Sequence, residues 1–204
     1  MKKFIVLFLV AVVLFSFTSC TKEQNASPET TSAQGPIAAD ENLLTVTVTL
    51  APNLFQGKTE EEIIASAKEN GITKCVVNED GSVVYTMTKA KHKQMLADFE
   101  KSIEESNEGL INGEAKVESF LKIETNDNFS QFDVFVDPQK YTIWDNMNIL
   151  AFYLQGVYYQ CLAGAAIDDI DVVVNFIDNE TNEVVETGSY REFMANQVET
   201  ETNP

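Results

Sequence analysis

Hydrophobic and polar residues alternate over residues 44–50, where leucines and valines are separated by threonines. This period of two predicts a strand with one buried face. Thr59 then opens a helix, and Glu62, three residues later, completes a capping box. The helix carries an apolar stripe and ends at Gly71, a residue that favours helix termination.

Three later pairs of short apolar stretches are separated by turn-forming residues, and each pair predicts a β-hairpin. The first hairpin turns through Asn78–Gly81, the second around Asp127-Asn128 and the third through Asp178–Asn182. The paired stretches are residues 72–77 with 82–87, 119–126 with 131–136, and 171–177 with 183–189.

Two further helices separate these hairpins. Thr88 begins the second helix, whose apolar residues recur at helical spacing as far as Leu110. Asp137 and Pro138 are residue types preferred at the cap and at the first position of a helix. They predict a third helix that runs from there to about Ala163.

The predicted order is one strand followed by three helix–strand–strand units, β-(αββ)x3. Because hairpin strands run antiparallel, we expect an α+β fold with one largely antiparallel sheet and three helices on one face. This domain spans residues 43–196. Residues 20–42 almost lack large apolar side chains and predict a disordered tether, and the polar residues 197–204 predict a frayed tail.

The net charge limits the classes of function open to this domain. All 32 acidic residues but only 12 of the 14 basic residues lie after residue 19, which gives that part a formal net charge of −20. Nucleic-acid binding requires clustered Lys and Arg, so that class is excluded. The simplest interpretation of the acidic surface is solubility, and recruitment of a basic partner is the alternative.

The N-terminus has the pattern of an export signal. Lys2 and Lys3 precede an uninterrupted apolar run over residues 4–17, and small or polar residues follow. An uncleaved transmembrane helix is one alternative, although the run is shorter than the roughly 20 apolar residues that span a bilayer. A plain secretory signal cut near Ser19 is another.

The stretch Phe17-Thr18-Ser19-Cys20 resembles the lipobox of bacterial lipoprotein signal peptides. The resemblance implies that residues 1–19 are removed as a signal peptide. Acylated Cys20 then anchors the protein in the lipid bilayer, on the extracytoplasmic face of the cell membrane. If the cell has an outer membrane, Thr21 resembles the residue of lipoproteins sorted onward to it. In layout the chain looks like small uncharacterised surface lipoproteins of Gram-positive bacteria.

The predicted third helix is apolar over more of its circumference than a surface helix needs. One interpretation is a central core helix that touches the sheet and both other helices. The other is a partner or ligand surface, with Phe152, Tyr153 and Tyr159 broadening the apolar face.

Candidate chemistry is sparse. Cys75 and Cys161 lie in apolar settings, which favours buried free thiols, and a disulfide in an oxidising compartment is the alternative. The single histidine, His92, has no nucleophile in a local motif. The acidic segment from Asp168 to Asp171 lacks the spacing of a calcium loop and predicts a solvated surface. The sequence thus predicts no catalytic residue, metal site or cofactor.

Together these patterns favour a non-enzymatic, membrane-anchored lipoprotein that binds a protein or peptide partner at the cell envelope. One alternative is a small-molecule or metal-binding lipoprotein that serves a transporter or sensor. A second alternative is an envelope hydrolase.

Overall fold

The computed structural model of the chain describes residues 44–202, with side chains for residues 44–197. The predicted signal peptide, Cys20 and the tether lie outside the described residues. The described part is an α+β domain with two sheets and four helices. The α+β prediction is therefore confirmed.

The first sheet has three antiparallel strands in the order β1-β3-β2. These strands are Thr45–Leu50 (β1), Lys74–Val77 (β2) and Val83–Thr88 (β3). Helix α1, Glu60–Glu69, precedes β2, and its N-terminus has the predicted capping box. Thr59 Oγ1 accepts a hydrogen bond from Glu62 N at 3.3 Å, and Glu62 Oε2 accepts one from Thr59 N at 2.8 Å.

The second sheet has four strands in the order β4-β5-β6-β7. They are Phe120–Thr125 (β4), Gln131–Val136 (β5), Val173–Asp178 (β6) and Val184–Ser189 (β7). Strands β5 and β6 are parallel, whereas the other neighbours are antiparallel.

The prediction of one largely antiparallel sheet is therefore wrong, for two physical reasons. Helix α2, Lys89–Asn112, has 24 residues and carries the chain about 36 Å between β3 and β4, which do not pair. A helix also connects β5 to β6, and such a crossover joins strands that run parallel.

The prediction of three helices is also wrong. Helix α3 is Ile149–Ala163, and a fourth helix, α4, covers Tyr190–Thr202, so the backbone of the predicted tail is helical as far as Thr202. Helix α3 also begins later than predicted. Asp137 caps only a turn, because its carbonyl oxygen accepts hydrogen bonds from Lys140 N and Tyr141 N, both at 3.0 Å.

Helix α3 is the central element of the fold. It contacts β1 of the first sheet, β6 of the second sheet and helix α2. From Phe152 to Leu162 most of its side chains are buried, including residues on opposite sides of the helix. A helix that is apolar all round is expected to be buried in this way, and the core interpretation holds for this part of α3.

Candidate functional site: an exposed apolar stripe

Five large apolar side chains lie exposed around the N-terminal half of α3. We call them the α3 stripe: Ile143, Trp144, Met147, Leu150 and Leu154, which are 77%, 74%, 64%, 41% and 50% exposed. Single exposed apolar residues are ordinary, but several that share one face of an element mark an interaction surface more often.

Helical geometry places these residues on one face. A 3-10 helix over Asp145–Asn148 leads directly into α3, and Trp144 and Asn148 both have right-handed helical backbone angles. Met147 N donates a hydrogen bond to the carbonyl oxygen of Trp144 at 3.2 Å. Residues three and four apart on a helix are neighbours, so Trp144, Met147, Leu150 and Leu154 follow one another along one face, and Ile143 directly precedes them in the chain.

The same face is covered farther along the helix. Tyr158 follows Leu154 by four residues, and its ring packs on Phe99 of α2 with centroids 4.6 Å apart. Cys161, the next residue along the face, is fully buried. Helix α2 thus covers the C-terminal end of this apolar face, and the stripe is its uncovered N-terminal continuation.

Hydrogen bonds hold the segment before α3 in place. Asp145 Oδ2 accepts from Thr142 N at 2.8 Å and from Ser119 Oγ at 2.9 Å. Asn146 bonds both to the hydroxyl of Tyr141 and to the carboxylate of Glu186. The exposed residues therefore stand on a backbone that is fixed to β7 and to the end of the α2–β4 connection.

Burial of Tyr141 adds to this support. Its ring lies 5.4 Å from that of Phe176, centroid to centroid, and its hydroxyl donates to Glu186 Oε2 at 3.3 Å. Burial first, and then the charge of Glu186, raises the pKa of the Tyr141 phenol well above its usual value. The phenol is therefore neutral and remains a hydrogen-bond donor at neutral pH.

The residues predicted as a partner surface lie on the other side of α3. Phe152, Tyr153 and Tyr159 are only 0%, 4% and 8% exposed, so they belong to the core and the predicted surface is wrong. The Phe152 ring packs 5.1 Å from that of Phe132, and Tyr153 lies 5.9 Å from both Tyr190 and Phe193, centroid to centroid.

Tyr159 shows that a tyrosine hydroxyl on an apolar helix face need not point to solvent. Its hydroxyl donates a hydrogen bond to Glu100 Oε1 of α2 at 2.6 Å, inside the fold. Burial and this carboxylate raise the pKa of Tyr159 to about 12. The stripe residues belong to the same apolar stretch of sequence, but no local pattern indicates which of its residues the rest of the fold covers.

Cys75 and Cys161, the cysteines of the described residues, are free thiols, so the disulfide alternative is not realised in this structure. Cys161 is buried within α3 and Cys75 is half-buried in β2. Burial raises the pKa of each thiol, and Glu60 contributes to the rise at Cys75. A raised pKa leaves less thiolate, so neither group has the environment of a reactive cysteine.

His92 has a structural partner. Its Nε2 lies 2.7 Å from the carbonyl oxygen of Leu162, one of the last carbonyls of α3, to which an N–H at Nε2 donates. Helix ends leave such carbonyls without partners inside the helix, and a histidine of a neighbouring element satisfies one here.

The acidic segment before β6 is likewise tied to the fold. Asp171 Oδ1 accepts from Val172 N at 2.8 Å and from Ser189 Oγ at 3.1 Å. Within residues 44–202, no group of three or more His, Cys, Asp or Glu side chains could hold a metal ion. Nor does that part of the chain contain a helix long and apolar enough to cross a membrane.

No protein-family model, curated protein or solved structure matches the chain. The α3 stripe is therefore assigned from its own geometry.

Proposed function

We propose that this protein is a lipid-anchored, extracytoplasmic binding protein whose domain docks a protein partner through the α3 stripe. The observation that supports docking is the group of five large exposed apolar side chains, four of which share one face of a hydrogen-bonded helical segment. Tryptophan and methionine are enriched at protein interfaces, and both lie within the stripe.

The anchor rests on the lipobox-like residues 17–20 and on the polar segment behind them. As a disordered tether, a segment of about 22 residues would have a reach of roughly 25 Å, enough for the domain to meet a partner near the membrane. Two or more acyl chains give stable attachment, whereas a single chain gives marginal binding.

Metabolic labelling with palmitate tests the anchor. The unchanged chain should carry the label and fractionate with membranes, whereas Cys20→Ala should lose the label. A label that persists in Cys20→Ala would refute the anchor and would leave the docking surface to be judged separately.

Site-specific photo-crosslinking on intact cells tests the docking surface. A photo-reactive amino acid at Leu150 should capture a defined protein, whereas the same group at Val185, a strand residue 50% exposed, should not. The captured protein, once purified, should bind the unchanged chain and bind the Met147→Asp variant at least tenfold more weakly. Equal capture at both positions, or equal binding to the variant, would refute docking at the stripe.

A further inference from the structure

The acidic residues of this chain are unevenly distributed, and the α3 stripe lies in the acidic part. Residues 44–93 contain six acidic and six basic side chains and are formally neutral. Residues 94–204 contain 22 acidic and five basic side chains, for a formal charge of −17. General solubility does not require such a concentration of charge in one part of the domain.

The surroundings of the stripe are free of basic residues in sequence. No Lys or Arg occurs between Lys140 and Arg191, a stretch that includes the whole stripe and eight acidic residues. The two flanking cations are already engaged. Lys140 lies 3.4 Å from Asp137, and Arg191 donates to the carbonyl oxygens of Ile170 at 3.0 Å and Asp168 at 2.8 Å.

An exposed carboxylate, that of Glu186, lies next to the segment that carries the stripe. Glu186 is exposed and bonded to Asn146 of the 3-10 helix that leads into α3, whereas Asp145 Oδ2 is directed to Thr142 N and to the buried Ser119. An occupant of the stripe would therefore bury apolar groups on the exposed leucines and meet negative charge at the rim. Charge at an interface rim sets partner choice and the rate of association.

The covered end of the same face indicates the shape of the occupant. There, helix α2 packs along α3 through Phe99 and Tyr158. The helical part of the stripe, from Trp144 to Leu154, is about 15 Å long, or roughly three helical turns. A second helix laid against it would extend the packing that α2 makes, with side-chain ridges fitting into grooves.

We propose, on the basis of the proposed function, that the α3 stripe docks a cationic amphipathic helix of its partner. Such a helix carries an apolar face flanked by Lys and Arg. The apolar face covers Trp144, Met147 and Leu150, and the flanking cations face Glu186.

Charge disfavours two other occupants. A second copy would bring two formal charges of −17 together across the stripe. A bilayer is disfavoured because helices that lie in membrane interfaces are rich in Lys and Arg on their polar face, whereas residues 141–190 contain neither.

Trp144 provides the test, because it is the single tryptophan of the chain and is 74% exposed. The mature chain, residues 20–204 with Cys20→Ser to prevent acylation, is titrated with a synthetic Leu/Lys amphipathic helix of about 18 residues, or five turns. A Leu/Glu peptide with the same leucine positions is the matched control.

The Leu/Lys peptide should shift the Trp144 emission to shorter wavelength in a saturable way, and the Leu/Glu peptide should not. Raising the salt concentration should weaken the complex, because exposed charges are screened. Met147→Asp should weaken binding at least tenfold, whereas Val185→Asp, which adds the same charge outside the stripe, should change it less than twofold. Circular dichroism melting curves establish that both variants fold.

Four results would overturn the proposal. They are an equal response to the Leu/Glu peptide, equal weakening by Met147→Asp and Val185→Asp, a shift that grows with protein concentration alone, and a stronger shift with phosphatidylcholine/phosphatidylglycerol vesicles than with the Leu/Lys peptide. The third result identifies a second copy, and the fourth identifies the bilayer. Failure here is distinct from failure of the proposed function, which survives if Leu150 crosslinks a partner that lacks a cationic helix.

Discussion

The two ends of helix α3 are similar in composition and opposite in environment. Leu162 is fully buried, while Leu154 is 50% exposed eight residues earlier on the same helix. Both are leucines on an element that is apolar around its whole circumference. The contrast shows that hydrophobicity identifies α3 as a packing element, whereas the neighbouring elements decide which of its residues form the core and which form a surface.

Close packing at two glycines determines which side of α3 lies against the second sheet. A Cβ at Gly156 would overlap the carbonyl oxygen of Phe129 and would lie 2.6 Å from a methyl group of Val172. A Cβ at Gly188 of β7 would overlap both Ile149 and the hydroxyl of Tyr153. These two glycines let α3 approach the second sheet on one side, so the stripe is left on a side that the sheet does not reach.

The largest effect is expected at alkaline pH, where ionisation of buried tyrosines should unfold the whole domain. All six tyrosines have pKa values raised first by burial, and those of Tyr153 and Tyr159 rise to about 12. The unfolded value is about 10, so the folded state retains protons that the unfolded chain releases. The stability that these groups contribute is complete below pH 10 and is lost as the pH rises through about 12.

Absorbance of tyrosinate and far-ultraviolet circular dichroism, followed together, measure this effect. Tyrosinate should form late and together with the loss of helical signal. Ionisation of all six phenols near pH 10 with the helical signal intact would show that the tyrosines are not buried as described.

Truncation of matched leucines compares the two ends of α3 directly. Leu162→Ala should lower the free energy of unfolding by about 2–5 kcal/mol, because it leaves a cavity in the core. Leu154→Ala removes the same atoms from a half-exposed site and should cost less than about 1 kcal/mol. Urea unfolding of both variants provides the comparison, and equal losses would contradict the assignment of Leu162 to the core and Leu154 to the surface.

Alanine substitutions at two helical glycines should change stability less, and in opposite directions from each other. Gly156→Ala should destabilise the domain by about 1–3 kcal/mol, because the added methyl group overlaps Phe129 and Val172. Gly109→Ala lies in helix α2 with no atom within 4 Å of the new methyl group. It should stabilise by about 0.5–1 kcal/mol, since alanine loses less entropy than glycine in a helix. Thermal unfolding measures both, and a stabilising Gly156→Ala would contradict close packing of α3.

Local rules predict much of this fold. The capping box at Thr59 and Glu62 depends on residues three apart, and the turn through Asn78–Gly81 depends on Gly81, whose φ is 82°. Both predictions are confirmed, because nearby residues determine such features. Thr88 likewise caps α2 as predicted, with Oγ1 accepting from Lys91 N at 3.1 Å.

Features that depend on distant residues were not predictable in the same way. The parallel pairing of β5 with β6 joins Gln131 to Val173, which no local pattern specifies. The exposed and buried residues of α3 likewise depend on distant parts of the chain. The sequence identified α3 as unusually apolar, but the burial of Tyr153 depends on Tyr190 and Phe193 of a helix that was not predicted.

The smallest effect on stability is expected at the stripe itself. Met147 is 64% exposed, so Met147→Asp should change the free energy of unfolding by no more than about 0.5 kcal/mol. The substitution also places a carboxylate in the first turns that lead into α3, where negative charge is tolerated by the helix dipole. Urea unfolding should therefore give nearly superimposable curves, although partner binding is lost. A loss above about 2 kcal/mol would mean that Met147 belongs to the core, and the stripe would no longer be a surface available to a partner.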